Sequence, residues 1–268
     1  MSYLFEDPLG AHLRDVDTVT AALGTTAPKP WRDLRSRWEN HNTAESYADQ
    51  YVAALVTGDT KADLPLLRSL AISFAATLPT HTATIDNYAK ATVERKLLEL
   101  FAPDAPRIYT AAAQNFNDTV TKFLHCTTVV DVGLPAEQLL DATDEVRSAW
   151  VSAQIHAHAI DGAVEILAAA ARLSGTAVGT PEEVLPLICR TDGVHRRELW
   201  TAYESESRCG RWPALAQITE ILAAELPVEP YRRPLPLQEK WIQNPNGGIG
   251  NVRILVDPED AELAEAKG

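Results

Sequence analysis

Residues 135–174 read PAEQLLDATDEVRSAWVSAQIHAHAIDGAVEILAAAARLS, and this run decides the fold class. Apolar or small residues recur at Leu139, Thr143, Val146, Trp150, Ala153, Ala157, Ile160, Val164, Leu167 and Ala171. The steps alternate four and three, which is a heptad seam and not the alternation of a strand. Gly175 supplies a stop. Read as one helix of 40 residues, the run is about 60 Å long at about 1.5 Å per residue. Ala153 and Ala157, in mid-seam, let a neighbouring helix come close. That neighbour is either the run 80–125 or a second copy of the chain, and the spacing does not choose between them.

Upstream, helix punctuation is regular. Asp7-Pro8 opens a segment that sets Leu9, Leu13, Val16 and Leu23 on one side and closes at Gly24. Pro30 opens a short helix with Trp31, Leu34 and Trp38 on one face. Asn42 and Glu45 have the spacing of a capping box. Asp63, with Pro65 in the first turn, starts the next helix, and Pro79 ends it. A helix follows over residues 80–101, and another from Asp104 sets Tyr109, Ala112, Phe116, Val120 and Phe123 in line. Proline in first turns and glycine after last turns is the asymmetry helices favour. CTTVVDVG, residues 126–133, is β-branched and reads as an extended connector, because a strand needs a partner.

Downstream, SGTAVGT at 174–180 is a linker. Thr180-Pro181-Glu182-Glu183 is a helix start with a Thr cap, Pro first and Glu third. Three short helices are expected at 181–190, 194–206 and 212–226. The remainder changes character. Pro227, Pro230, Pro234 and Pro236 favour an extended path, and residues 252–256 read as one strand. The expected organisation is a helical bundle over 1–175, a three-helix subdomain over 180–226 and an extended arm over 227–268. The fold class is all-α: a multi-helix bundle with one long central helix, a small three-helix satellite and a C-terminal arm.

Composition narrows function. The 268 residues are 46% hydrophobic and 23% charged, ordinary for a globular protein. The longest apolar-looking stretch, residues 163–173, is broken by Glu165 and Arg172 and is too short to cross a membrane. The N-terminus lacks the pattern of a secretory signal, so the expected location is the cytoplasm or an assembly formed there. A net charge of −13 disfavours nucleic acid as the main partner. Arg outnumbers Lys 17 to 7, an association with GC-rich bacterial or phage genomes. Cys126, Cys189 and Cys209 are odd in number and widely spaced, so buried reduced thiols are expected rather than a disulfide framework.

The chemical motifs are weak. NPNGGIGN, residues 244–251, has the glycines of a phosphate-binding loop but no following helix and no Lys-Ser/Thr pair. It reads as a turn leading into a strand. His156 and His158 stand two apart, about 200° around a helix, and cannot clamp one metal. No HExxH, ExxH or zinc-finger spacing is present, and neither metal nor cofactor is expected. Asp118, Asp141 and Asp144, with His156, could line an inter-helix pocket and are the catalytic candidates. Acidic residues at a helix start are equally what the macrodipole favours. There is no GxSxG elbow. Residues 181–206 can be read as helix-turn-helix, with His195, Arg196 and Arg197 facing a groove. Residues 180–226, however, hold five Arg and eight Asp or Glu, and Trp200 and Tyr203 read as core.

The arm carries Tyr231, Arg232, Arg233, Trp241, Ile242, Val252 and Ile254, residue types that anchor interfaces. It either wraps its own bundle or docks on a neighbour, adding residues 252–256 to a partner's sheet edge. The expected function is a non-enzymatic subunit of an oligomeric assembly, bacterial or phage. Its partner would be a protein, either a second copy or another assembly subunit. The alternatives are a helical enzyme with the pocket above and, less favoured, a DNA-binding protein.

Overall fold

The computed structural model describes residues 7–43, 47–57, 63–76, 79–243 and 251–260. Their regular secondary structure is helical apart from one two-stranded sheet, the all-α class that the heptad spacing dictates. The chain clusters into two compact units, Met1–Arg107 and Ile108–Gly268.

The first unit holds α1 (Pro8–Leu23), α2 (Lys29–Thr43), α3 (Tyr47–Thr57), α4 (Leu64–Ala76) and α5 (Pro79–Phe101). Asp7 caps α1 by accepting the Leu9 N–H at 3.2 Å, and Gly24 ends it with φ at 60°. Asp63 caps α4 by accepting the Leu66 N–H at 3.0 Å. Asn42 lies within α2, which runs to Thr43, and Glu45, the other half of the expected capping box, lies outside the described residues. α1 and α2 pack on α5, and α3 pairs with α4. Leu9, Val16, Val19, Trp31, Leu97 and Phe101 are buried together with His12. The Trp31 indole N–H donates to His12 Nε2 at 3.2 Å, which requires a neutral imidazole. Burial pushes the His12 pKa down, which favours that form. Of the two tryptophans set on one face of α2, Trp31 is buried and Trp38 is half-exposed.

The second unit is built on α6 (Ala105–Val129) and α7 (Asp144–Leu173). Tyr109, Ala112, Phe116, Val120 and Phe123 are buried, as their spacing requires. α6 runs on through residues 126–129, where a connector was expected. The Thr127 and Thr128 hydroxyls donate to the carbonyls of Leu124 and His125 at 2.8 and 2.7 Å, so the polar side chains are satisfied inside the helix. α7 is 30 residues long, about 45 Å rather than 60 Å. The Thr143 hydroxyl accepts the Val146 N–H at 3.4 Å, and Asp144 and Glu145 fill the first turn, so the helix starts there. Residues Ala136–Leu139 form a separate 3-10 turn.

Along α7 the seam is buried at Ala153, Ala157, Ile160, Leu167 and Ala171, with Leu139 buried in the turn before it. Its neighbours belong to this chain. The Trp212 indole donates to Asp161 at 3.0 Å, and its ring meets Phe116 of α6 edge-on at 6.5 Å. The Arg208 guanidinium lies 3.6 Å over the Trp150 ring and donates to the Trp150 carbonyl at 2.7 Å.

The satellite helices α8 (Pro181–Ile188), α9 (Arg196–Tyr203) and α10 (Trp212–Ile218) are shorter than expected. Glu183 completes the Thr180 capping box, accepting the Thr180 N–H at 2.9 Å. Residues 219–224 are extended and not helical. They pair with the chain after α8, Arg190 N–H donating to Glu220 O at 2.9 Å and Leu222 N–H to Ile188 O at 3.1 Å. The backbone leaving α8 needs partners and takes them there. β1 (Gln238–Gln243) pairs antiparallel with β2 (Asn251–Val256), setting Trp241 opposite Arg253 and Gln238 opposite Val256. β2 was legible; β1 was read as irregular chain. The glycines Gly247, Gly248 and Gly250 lie outside the described residues. Strands flank them on both sides, and a nucleotide loop needs a helix after them.

Candidate functional site

α9 begins inside the chain, and its first amides need acceptors. The acceptor is Glu259, whose two carboxylate oxygens take the Arg196 N–H at 2.8 and 3.0 Å. The same carboxylate pairs with the Arg196 guanidinium at 3.2 Å. Asp257 pairs with Arg197 and accepts the Glu259 N–H at 3.1 Å. Asp257 and Glu259 are only 7% and 6% exposed. The Arg197 guanidinium holds the Asp257 carboxyl below the usual carboxylate range.

His195 stands between these groups. Its Nδ1 lies 3.6 Å from Glu259 Oε2, and its Nε2 lies 3.3 Å from Asp260 Oδ1. Nδ1 is buried and has no hydrogen-bond partner. His195, Asp257 and Glu259 can each offer one atom within 4.8 Å of the others, close enough to share a metal ion. His195, Asp257 and Asp260 also line an open groove of about 730 Å³, with Thr201, Gln217 and Leu255 along its walls.

The arm before the hairpin lies on the satellite. The Tyr231 ring stacks on Trp200 with centroids 5.9 Å apart and planes 7° from parallel. Its hydroxyl donates to the Arg196 carbonyl at 2.6 Å, and its N–H donates to the Glu182 carbonyl at 2.7 Å. Burial pushes the Tyr231 phenol up. The Arg233 guanidinium lies over the Trp200 ring, 4.6 Å from its centroid, and pairs with Glu182. Arg232 is exposed. The hairpin itself is held at both ends and open between. Trp241 and Leu255 are 64% and 61% exposed, and the register places them on one face, diagonal to each other. Ile254 is half-buried on the opposite face; Ile242 and Val252 are strand residues whose side chains lie outside the described set.

The catalytic candidates come from α6, the turn before α7, and α7 itself. Asp118 is exposed on α6 and accepts from Gln114 at 2.7 Å. Asp141 is exposed in the turn before α7. Asp144 is 98% exposed and pairs with Arg147 at 2.5 Å. His156 alone lines a cleft between α6 and α7, with Lys122, His125, Cys126 and Glu145, and that cleft holds about 480 Å³. His195, Arg196 and Arg197, the residues of the helix-turn-helix reading, face carboxylates of the chain's own C-terminal segment. The pairing of HRR at 195–197 with DPED at 257–260 is the feature that sequence reasoning missed. Its one signal was charge complementarity between distant runs. Comparisons with family models, with curated proteins and with solved structures returned no match for this chain.

Proposed function

We propose that the protein is a non-catalytic helical subunit of an oligomeric assembly, and that its C-terminal β-hairpin docks on a second copy of the chain. The observation that carries this reading is the hairpin face that holds Trp241 and Leu255. A two-stranded sheet is marginal on its own, and this one leaves Trp241 and Leu255 largely exposed with one edge of each strand open among the described residues. Its two ends are clamped to α9, by Tyr231 on one side and by Asp257 and Glu259 on the other. A clamped hairpin with an uncovered tryptophan is pre-organised for pairing, since little further chain ordering opposes association. Two such hairpins brought edge to edge form a four-stranded sheet with the Trp241 and Leu255 of both copies on it.

The first unit points the same way. α3 and α4 expose Val52, Leu55, Val56, Leu66 and Ile72, more apolar surface than scattered exposure explains. The enzyme reading has less behind it, because Asp118, Asp141 and Asp144 are solvent-exposed side chains. The test is mass by light scattering of the full chain and of a Trp241→Glu/Leu255→Glu variant. The full chain should self-associate, and the variant should be monomeric with unchanged far-ultraviolet circular dichroism. A full chain that stays monomeric at about 100 μM, weaker than ordinary specific association, overturns the reading.

A further inference from the structure

We propose that His195 Nδ1, Asp257 and Glu259 form a binding site for a divalent transition-metal ion of the zinc type. The argument starts from a lone pair. In a neutral imidazole one nitrogen donates and the other accepts. His195 Nε2 lies 3.3 Å from Asp260 Oδ1, a contact that a proton on Nε2 satisfies. In that tautomer Nδ1 presents a lone pair toward Glu259 Oε2 at 3.6 Å, acceptor to acceptor, and the buried nitrogen has no hydrogen-bond partner. A positive group between them removes the conflict. The local charge asks for the same thing: the carboxylates of Asp257, Glu259 and Asp260 stand against two guanidiniums, those of Arg196 and Arg197.

The donor set fits zinc. Around a tetrahedral ion with bonds of about 2.0–2.1 Å, ligand atoms sit roughly 3.3 Å apart. The His195–Glu259 separation is already 3.6 Å, and all three donors lie within 4.8 Å. Imidazole with two carboxylates suits zinc or manganese better than magnesium or calcium, which prefer oxygen alone. Each carboxylate oxygen has two lone pairs, so Asp257 and Glu259 can ligate while keeping their arginine partners. The outer partners are those that ligands require: Asp260 on the far nitrogen of His195, Arg197 on Asp257, and the Arg196 amide on Glu259. The groove beside the cluster gives the ion an entry path and leaves room for a water as fourth ligand. The site joins the start of α9 to the end of β2, so the ion also fixes the base of the hairpin.

A proton on His195 would answer the same conflict, and the experiment separates the two. The metal-stripped full chain is titrated with Zn²⁺ alone by calorimetry, with Mg²⁺ as control, and with Co²⁺ followed by its visible absorption. The expected result is one Zn²⁺ per chain, no Mg²⁺ uptake, and cobalt bands of a four- or five-coordinate site. His195→Gln should weaken Zn²⁺ by more than the roughly 10–100-fold that follows loss of an outer partner, with circular dichroism unchanged. Arg197→Lys, an outer substitution, should cost less than His195→Gln. Absence of stoichiometric Zn²⁺ binding, or binding that His195→Gln leaves intact, overturns the proposal and makes His195 an imidazolium held between two carboxylates.

Discussion

Glu259 caps a helix that begins 63 residues before it: both of its oxygens accept the Arg196 N–H that opens α9. The helix N-terminus is thus completed from the far end of the chain, and it also places a carboxylate at the positive end of the helix dipole. Glu259→Ala should therefore destabilise the second unit by about 1–3 kcal/mol, the loss of a cap together with the loss of a carboxylate beside the part-buried Arg196. Glu259→Gln should cost less, because an amide oxygen still accepts one N–H. Thermal melts of the two variants check the order, and equal effects would show that the cap does not matter.

The Asp257–Arg197 pair sets an acid limit on the same contact. The Asp257 pKa is below its ordinary value of 3.8, first because of Arg197. A carboxyl depressed on folding contributes stability that is complete above its unfolded pKa and is lost as pH falls through the folded one. The C-terminal segment should accordingly stay docked at pH 5 to 7 and release below about pH 4. Hydrogen exchange of residues 251–260 across that range measures it. Asp257→Asn should give a segment already loosened at pH 7, with a flatter acid response.

Tyr231 should divide into two separable contributions. Its ring stacks on Trp200, and its hydroxyl donates to the Arg196 carbonyl at 2.6 Å. Tyr231→Phe keeps the stack and should cost about 0.5–1.5 kcal/mol for the hydrogen bond. Tyr231→Ala loses both and should cost about 2–3 kcal/mol, because an aromatic pair adds about 0.5–1.5 kcal/mol beyond area burial. Chemical denaturation followed by Trp fluorescence reports both. A Phe variant as damaging as Ala would place the whole effect in the hydroxyl.

The all-α class, the caps at Asp7, Asp63 and Thr180, and the buried line from Tyr109 to Phe123 were legible because each depends on local spacing. The end of α6 was misread because Thr127 and Thr128 satisfy their hydroxyls on the helix's own carbonyls, which β-propensity does not register. The long helix was read ten residues too long because the heptad continues through Leu139 while Thr143 caps the helix after it. β1 was missed because QEKWIQ has no apolar alternation, and pairing with β2 decides it. The cluster at His195 could not be read at all. His195 stands 62 and 64 positions before Asp257 and Glu259, and only tertiary packing of the arm against α9 brings them together.

The three thiols offer a last test, and it bears on the packing of the second unit as a whole. Cys126, Cys189 and Cys209 are free and buried. Burial pushes all three thiols up, Cys189 to about 12. The thiolate is the reactive species, so at pH 8 each site is short of both ionisation and access. An aromatic disulfide reagent should therefore label none of the three in the native chain and all three in denaturant. The slow labelling that remains should follow local opening, and its rate ranks the sites. Cys189 has the backbone ties of residues 188–190 to 220–222 over it and should react last. Cys126, near the end of α6, should react first. Stoichiometric labelling of Cys189 under native conditions would mean that the extended segment 219–224 does not stay paired in solution, and the satellite's packing would need to be redrawn around that.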